Sequence, residues 1–236
     1  MTSKRLLSVL VPALILLLRC NGSDSPMTAS SVTTTTTAPP SPAATAEYRV
    51  TFEATWSRDT HPNMFPDNPH FSGLIGATHQ QDVRFWQEGS LASNGMESMA
   101  ERGSKTPLDQ EVDKAIAEGR AQNLLSGGGI NRSPGLVSLD FTASIEHPFV
   151  TLVSMVAPSP DWFVGVSALS LLQNGDWGNE IVVELHPYDA GTDSGTSYAS
   201  RDKDTVPPIP ISRIDGPPLQ VGGTVPPVGT FTFQRQ

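Results

Sequence analysis

The stretch Ser154–Gly195 reads SMVAPSPDWFVGVSALSLLQNGDWGNEIVVELHPYDAGTDSG, and it decides the fold. Two segments within it, Phe163–Leu172 and Glu180–Leu185, are rich in β-branched and apolar side chains, which is typical of β-strands. Between them stand Asn174 and Gly175, a pair that closes tight hairpins because both residues tolerate positive φ. The pattern therefore predicts two strands that pair antiparallel around a turn centred near Gly175.

Three aspartates in the same stretch are the candidate functional residues. Asp161 lies fourteen positions before the centre of the predicted hairpin and Asp189 fourteen positions after it. Antiparallel pairing would therefore return both carboxylates to one end of the sheet. Asp193 follows four residues later, beyond Gly191, which allows the backbone to curl. Three carboxylates this close repel one another unless a cation or protons intervene.

The residue types around these aspartates indicate which cation would suit them. Calcium accepts about six to eight oxygen ligands from flexible loops. Zinc prefers cysteine and histidine, and only His186 accompanies the aspartates. The spacing therefore predicts a calcium site formed by Asp161, Asp189 and Asp193. A second interpretation also fits the spacing, in which the three residues cap turns in a polar loop.

Several motifs along the chain resemble the spondin domain family. They are Ser154–Val166, Pro187–Gly195, Tyr48–Ser57, Phe71–His79 and Ala100–Gly103, so the resemblance spans roughly residue 47 to the C-terminus. It implies an antiparallel β-sandwich that binds one calcium ion in loops at one end, with ligand aspartates that match the three above. It also implies attachment to an extracellular partner, either a protein or a glycan.

Outside this stretch the hydrophobic pattern is also mainly that of β-strands. The segment Tyr48–Trp56 alternates apolar and polar residues, as expected for a half-buried strand. Two helices are predicted at Ser93–Arg102 and Thr106–Leu125. The fold class is therefore mainly β, an antiparallel sandwich covered by one or two helices. Further predicted strands are a hairpin of Leu136–Ile145 and Phe149–Val156, a proline-interrupted edge strand in Val206–Ile214, and a last strand at Phe231–Phe233.

The amino-terminal part differs from the rest in composition. Two basic residues precede the mostly apolar run Leu6–Leu18, which is typical of a secretory signal and too short to favour a membrane-spanning helix. Cys20 stands where a bacterial lipoprotein is acylated, but Arg19 departs from the small residue expected before it, so lipidation and plain secretion both remain open. The expected organisation is a signal peptide at 1–20, a disordered Ser/Thr/Pro-rich linker at 21–46, and the spondin domain at 47–236.

Composition and charge narrow the possible functions. A formal charge of −9 and the lack of a basic segment argue against nucleic acid as a partner. The carboxylates could serve as the acid and base of a secreted hydrolase acting on glycans or peptides. Acids that hold a metal stay ionised, however, and do not readily donate a proton. We therefore expect an exported, extracellular or surface-anchored adhesion module without enzymatic activity, with the hydrolase as the alternative.

Overall fold

The computed structural model describes residues 41–236; the predicted signal peptide, Cys20 and most of the predicted linker lie outside them. The first strand begins at Thr45, so the last two residues of the predicted linker belong to it. The helices are α1 (Asn94–Arg102) and α2 (Leu108–Ala117). The strands are β1 (Thr45–Ala54), β2 (His70–Phe71), β3 (Ile75–His79), β4 (Ala121–Ser126), β5 (Gly135–Ser144), β6 (Phe149–Ala157), β7 (Trp162–Ser170), β8 (Leu172–Gln173), β9 (Asp176–Trp177), β10 (Glu180–Leu185), β11 (Tyr188–Asp189), β12 (Ser212–Arg213) and β13 (Gly229–Arg235).

Most strands form two antiparallel sheets that pack face to face. The smaller sheet has the order β10-β13-β1-β5, and the larger has the order β12-β11-β7-β6-β3-β4, with β2 beside β6. The apolar core between them includes Phe52 of β1, Leu152 of β6 and Val164 of β7. The alternation in β1 buries Tyr48 and Val50 as well, because every second side chain faces the same side of a sheet. The predicted mainly β, antiparallel sandwich is therefore confirmed.

Both helices cover the outer face of the larger sheet. The first begins after Ser93, whose side chain accepts the N–H of Met96, and ends at Gly103 with a φ of 63°. Met96 and Met99 pack with Val153 of β6 in an apolar cluster separate from the sandwich core. Covering helices were predicted, and this layer confirms them. Within residues 41–236, no helix is both long enough and apolar enough to cross a membrane.

The predicted hairpin around Gly175 is wrong in its strand pairing. Asn174 and Gly175 do form a turn with positive φ, but it joins only β8 and β9, two residues each. Strand β7 pairs with β6 and β11, whereas β10 pairs with β13 in the other sheet. Leu171 and Trp177, on either side of the turn, are both buried in the sandwich core. The chain therefore crosses from one sheet to the other at this point instead of folding back on itself.

The predicted hairpin of β5 and β6 is wrong for a related reason. Strand β5 pairs with β1 in the smaller sheet, and β6 lies between β3 and β7 in the larger one. The second helix is also shorter than predicted, since it ends at Ala117 and residues Ala121–Ser126 pair with β3 as strand β4. The last strand is confirmed as β13, and the proline-rich segment contributes only the edge strand β12.

Candidate metal centre

The structure brings Asp161 and Asp189 together through the pairing of β7 with β11. Asp189 lies opposite Trp162, the residue that follows Asp161. The N–H of Ala190 donates to the main-chain carbonyl of Asp161 at 3.1 Å. Directly afterwards the chain turns at Gly191, where φ is 76° and a Cβ would collide with the carbonyl of Ile209. The two aspartates thus meet at one end of the larger sheet, by a different route from the predicted hairpin.

Asp193 lies in the loop that follows Gly191, and main-chain N–H groups hold its carboxylate. Gly195 donates to Oδ1 at 2.6 Å and Lys203 donates to Oδ2 at 2.7 Å. The residue is only 4% exposed. Because one side chain bonds to both arms of the loop, it closes the segment from 193 to 203 into a compact turn. Ionised carboxylates make strong hydrogen bonds to main-chain N–H groups, so this turn is well held.

Asp161 is the most deeply buried of the three aspartates, with 0% exposure. Its Oδ2 atom accepts the N–H of Thr192 at 2.8 Å, the N–H of Asp193 at 3.1 Å and the hydroxyl of Thr192 at 3.3 Å. Its Oδ1 atom is buried without any hydrogen-bond partner among the described residues. A buried acceptor of this kind costs free energy, more so when it is charged. The ionised form of Asp161 is therefore destabilised in the folded protein.

The electrostatics of the aspartates agree with this geometry. Burial, and after it the nearby charge of Asp189, raise the pKa of Asp161 to about 6, while the hydrogen bonds from Asp193 and Thr192 act in the opposite direction. Burial also raises the pKa of Asp189, and the charge of Asp193 raises it too. The N–H of Gly191, which donates to Oδ1 of Asp189 at 2.8 Å, acts in the opposite direction. The three carboxylates therefore interact in pairs, and a cation would relieve their repulsion at neutral pH.

The donor atoms of this cluster suit calcium, although its side chains do not form a ready-made cage. In residues 41–236, no group of three or more histidine, cysteine, aspartate or glutamate side chains is already arranged to hold a metal ion. The donors are all hard oxygens, which calcium prefers. An ionised carboxylate offers about four lone-pair positions, so the N–H bonds to Asp189 and Asp193 leave room for a cation. With Oδ1 of Asp161 unpaired among the described residues, the chemistry of these donors fits a hard cation.

Two further residues of the cluster were missed in the sequence. Glu101, on α1, has a side chain that is only 9% exposed. Burial raises the pKa of its carboxyl, and the hydroxyl of Thr192 acts in the opposite direction. Thr192, which also bonds to Asp161, is therefore near Glu101 as well. Only the packing of α1 on the larger sheet brings Glu101 here, and no local pattern in the sequence signals that contact.

A group of aromatic side chains connects the aspartates to the surface. Trp162 is 3% exposed, and its ring lies 5.4 Å from that of Tyr198. Tyr198 also packs on Trp56 at 5.5 Å and belongs to the loop that carries Asp193. Next to it lies a cleft of about 350 Å³ lined mainly by apolar residues, hereafter the Tyr198 cleft. Its walls are Met64, Phe65, Pro66, Asp67, Pro158, Ser197, Tyr198 and Ala199.

Comparison with known proteins gives one consistent family. The family model described as Spondin_N matches residues 46–219, which include all three aspartates. Spondin-2 of the rat is 31% identical over 206 residues, which cover 80% of this chain and 62% of that protein. Human Spondin-2 is 34% identical over 175 residues, covering 72% and 53%, and chicken Spondin-1 is 34% identical over 210 residues, covering 81% and 25%. This chain thus spans less than two thirds of the length of these relatives. By the match to the family model, which takes in most of its length, the chain belongs to the spondin domain family.

Proposed function

We propose that this protein is an extracellular calcium-binding module that attaches to another extracellular molecule. The observation that carries the proposal is the Asp161 carboxylate, which is completely buried and lies near the charge of Asp189, and whose Oδ1 has no hydrogen-bond partner in the part of the chain that the structure describes. A divalent cation is the simplest partner for such a group. Spondin relatives are secreted proteins of the extracellular matrix, which supports an extracellular location.

Calcium in this site would have a structural role. Asp161, Asp189 and Asp193 would hold the ion through their carboxylate oxygens, and the ion would supply the positive charge that offsets their repulsion. The side chain of Asp161 already bonds to the main chain of residues 192 and 193, and that of Asp193 bonds to residues 195 and 203. Strengthening these links would fix the loop after Gly191 against the end of β7. Calcium would therefore order the surface that this loop presents.

The Tyr198 cleft is the part of that surface best suited to a partner. Pro158 in one wall lies three residues before Asp161, and Tyr198 in the other lies five residues after Asp193. Met64 at the rim is 64% exposed, which is unusual for a large apolar side chain. Because Pro158 and the Ser197–Ala199 side of the cleft continue directly from the aspartate loops, the shape of the cleft would depend on the bound ion. An apolar group of a protein or glycan partner would enter this cleft.

The hydrolase alternative has less support from the geometry. General acid catalysis needs a carboxyl group within hydrogen-bond reach of the substrate. Asp161 and Asp193 are 0% and 4% exposed, so neither reaches a substrate at the surface. Burial and the charge of Asp189 account for the raised pKa of Asp161 without a catalytic role. Spondin relatives are matrix proteins and are not known as enzymes.

Calorimetric titration of the purified protein with calcium tests the metal site directly. We expect the wild type to bind calcium and the double variant Asp161→Asn, Asp189→Asn to bind none, with magnesium as the competing ion for selectivity. A wild type that binds no calcium would overturn the proposal.

The attachment role needs a separate measurement. Binding of the labelled protein to arrays of matrix proteins and glycans should appear in calcium and disappear in chelator. It should also weaken in Met64→Asp, which places a charge at the rim of the Tyr198 cleft. Arrays that show no calcium-dependent binding would contradict the attachment role while leaving the metal site intact.

A further inference from the structure

Thr192 directs both of its polar donors toward a single oxygen atom of Asp161. Its main-chain N–H lies 2.8 Å from Oδ2 and its hydroxyl lies 3.3 Å from the same atom. The residue is 6% exposed, so water does not readily replace these contacts. In the sequence it stands between Asp189 and Asp193, although it carries no charge and is a poor metal ligand itself. Its contacts therefore serve Asp161 rather than an ion directly.

The hydrogen bonds to Asp161 are distributed very unevenly between its two carboxylate oxygens. Oδ2 accepts three donors, two from Thr192 and one from the N–H of Asp193, whereas Oδ1 accepts none from residues 41–236. Donors concentrated on one oxygen fix the plane of the carboxylate and leave the other oxygen free. This is the arrangement by which residues outside the coordination shell orient a metal ligand.

The Thr192 hydroxyl also faces a second carboxylate. Glu101 of α1 lies near it, and the hydroxyl opposes the rise in the pKa of the Glu101 carboxyl that burial causes. A hydroxyl carries a single proton, so it can donate to Asp161 or to Glu101 but not fully to both. A small change at this residue would alter how Asp161 is held.

We propose that Thr192 is a positioning residue of the calcium site, holding the Asp161 carboxylate so that Oδ1 faces the ion. This inference rests on the proposed function, since it requires that the site binds calcium. It goes further by assigning a role to a residue that is not a ligand. Any residue except proline at position 192 would supply the main-chain N–H, whereas only threonine or serine would supply the hydroxyl.

Calcium affinity of two Thr192 variants, measured by calorimetry, tests this role. Thr192→Val keeps the shape and the main-chain N–H but loses the hydroxyl, and we expect calcium to bind about tenfold more weakly, the low end of the range for lost outer-shell hydrogen bonds. Thr192→Ser restores the hydroxyl and should restore the wild-type affinity. Thr192→Ala provides a second hydroxyl-free variant if the valine variant does not fold.

Thr151→Val is the matched control. Thr151 is also buried, at 1% exposure, and its hydroxyl lies 2.8 Å from Nε2 of His79 and 3.0 Å from the N–H of Ala168, away from the aspartates. This variant should unfold at a lower temperature and bind calcium as the wild type does. Equal losses of affinity in both valine variants would overturn the positioning role, as would wild-type affinity in Thr192→Val. A wild type that does not bind calcium at all would instead overturn the proposed function and this inference together.

Discussion

Replacing Asp161 by asparagine should change the stability of the protein in opposite directions with and without calcium. The pKa of Asp161 is raised from 3.8 to about 6 in the folded protein. A difference of about 2 pKa units corresponds to about 3 kcal/mol between the two protonation states. Because the folded state binds the proton more tightly, stability falls as the pH rises from about 4 through 6. At pH 7 without calcium, the ionised carboxylate therefore lowers the free energy of unfolding by about 3 kcal/mol.

Asparagine removes this charge and keeps most of the hydrogen bonds. Its side-chain oxygen, in the place of Oδ2, can still accept the N–H groups of Thr192 and Asp193. In chelator at pH 7, Asp161→Asn should therefore be more stable than the wild type by up to about 3 kcal/mol. If the new amide group finds no acceptor, a cost of about 1–3 kcal/mol offsets part of this gain.

Calcium should reverse the order of stability. An ion present at about a thousand times its dissociation constant adds about 4 kcal/mol to a protein that binds it only when folded, which exceeds the gain of about 3 kcal/mol that asparagine brings in chelator. The wild type should gain this amount, and the Asp161→Asn variant, which lacks one charged ligand, should gain little. Denaturant and thermal unfolding of both proteins, in calcium and in chelator, measure the reversal. Asp113→Asn, an exposed change on α2, is the control and should behave as the wild type.

The same experiment at lower pH separates electrostatics from packing. In chelator at pH 4.5, Asp161 is largely protonated, so the variant should lose its advantage over the wild type. A variant that is less stable than the wild type in chelator at pH 7 would show that the charge of Asp161 does not destabilise the fold. The assignment of Asp161 as a calcium ligand would be refuted by two proteins that respond to calcium to the same extent.

Three further outcomes follow from other residues. Gly191→Ala should destabilise the protein by at least about 1–2 kcal/mol and weaken calcium binding, because φ is 76° and a Cβ would meet main-chain atoms. Gly175→Ala is the control, since Gly175 has a φ of 86° but no atom close to where a Cβ would be, and it should lower the free energy of unfolding by less. Terbium bound in place of calcium should luminesce on excitation of tryptophan, and Trp162→Phe should remove most of this emission whereas Trp177→Phe should not. Burial lowers the pKa of His79, so the folded protein favours the neutral imidazole. The contribution of His79 to the free energy of unfolding should therefore fall as the pH drops below about 6.5. In saturating calcium, His79→Gln should make the free energy of unfolding less dependent on pH in that range.

The strands were predictable from the sequence because their signal is local. In β1 the alternation of Tyr48, Val50 and Phe52 with polar residues is enough to indicate a half-buried strand. Strand partners depend on distant residues and were not predictable in the same way. The turn at Asn174 and Gly175 was correctly located, yet the burial of Leu171 and Trp177 between the sheets decided which strands pair.

Helix α2 shows a second limit of local patterns. Leu124 fits the apolar stripe of a helix that begins near Thr106, and it fits equally well a strand that alternates. Gly119, with a φ of 70°, ends the helical turn, and pairing with β3 then places the following residues in β4. Short apolar runs of this kind fit both the periodicity of a helix and that of a strand, and pairing with a neighbouring strand determines which of the two forms.

The candidate site was only partly visible in the sequence. Asp161, Asp189 and Asp193 stand in one stretch of the sequence. Antiparallel pairing brings Asp161 and Asp189 together as predicted, but the strands that pair are β7 and β11 instead of the two strands of the predicted hairpin. The contribution of Glu101 depends on how a helix packs over the sheet. Thr192 stands within that stretch, but its bonds to Asp161 depend on how the loop after Gly191 folds against the end of β7. Such contacts join residues far apart in the chain, and neither spacing nor residue type indicates them.

The position of β1 has a mechanical consequence for a protein that attaches to a partner. The chain enters the domain at Thr45, at one end of β1, whereas Trp56 beyond the other end of the strand contacts Tyr198 near the aspartates. Tension between the amino-terminal segment and a molecule held at the Tyr198 cleft would therefore run along this strand. Ten residue pairs join β1 to β5 and seven join it to β13. Such a load would pull on both ladders in shear, so that many hydrogen bonds would have to break at once before the strand could slide out.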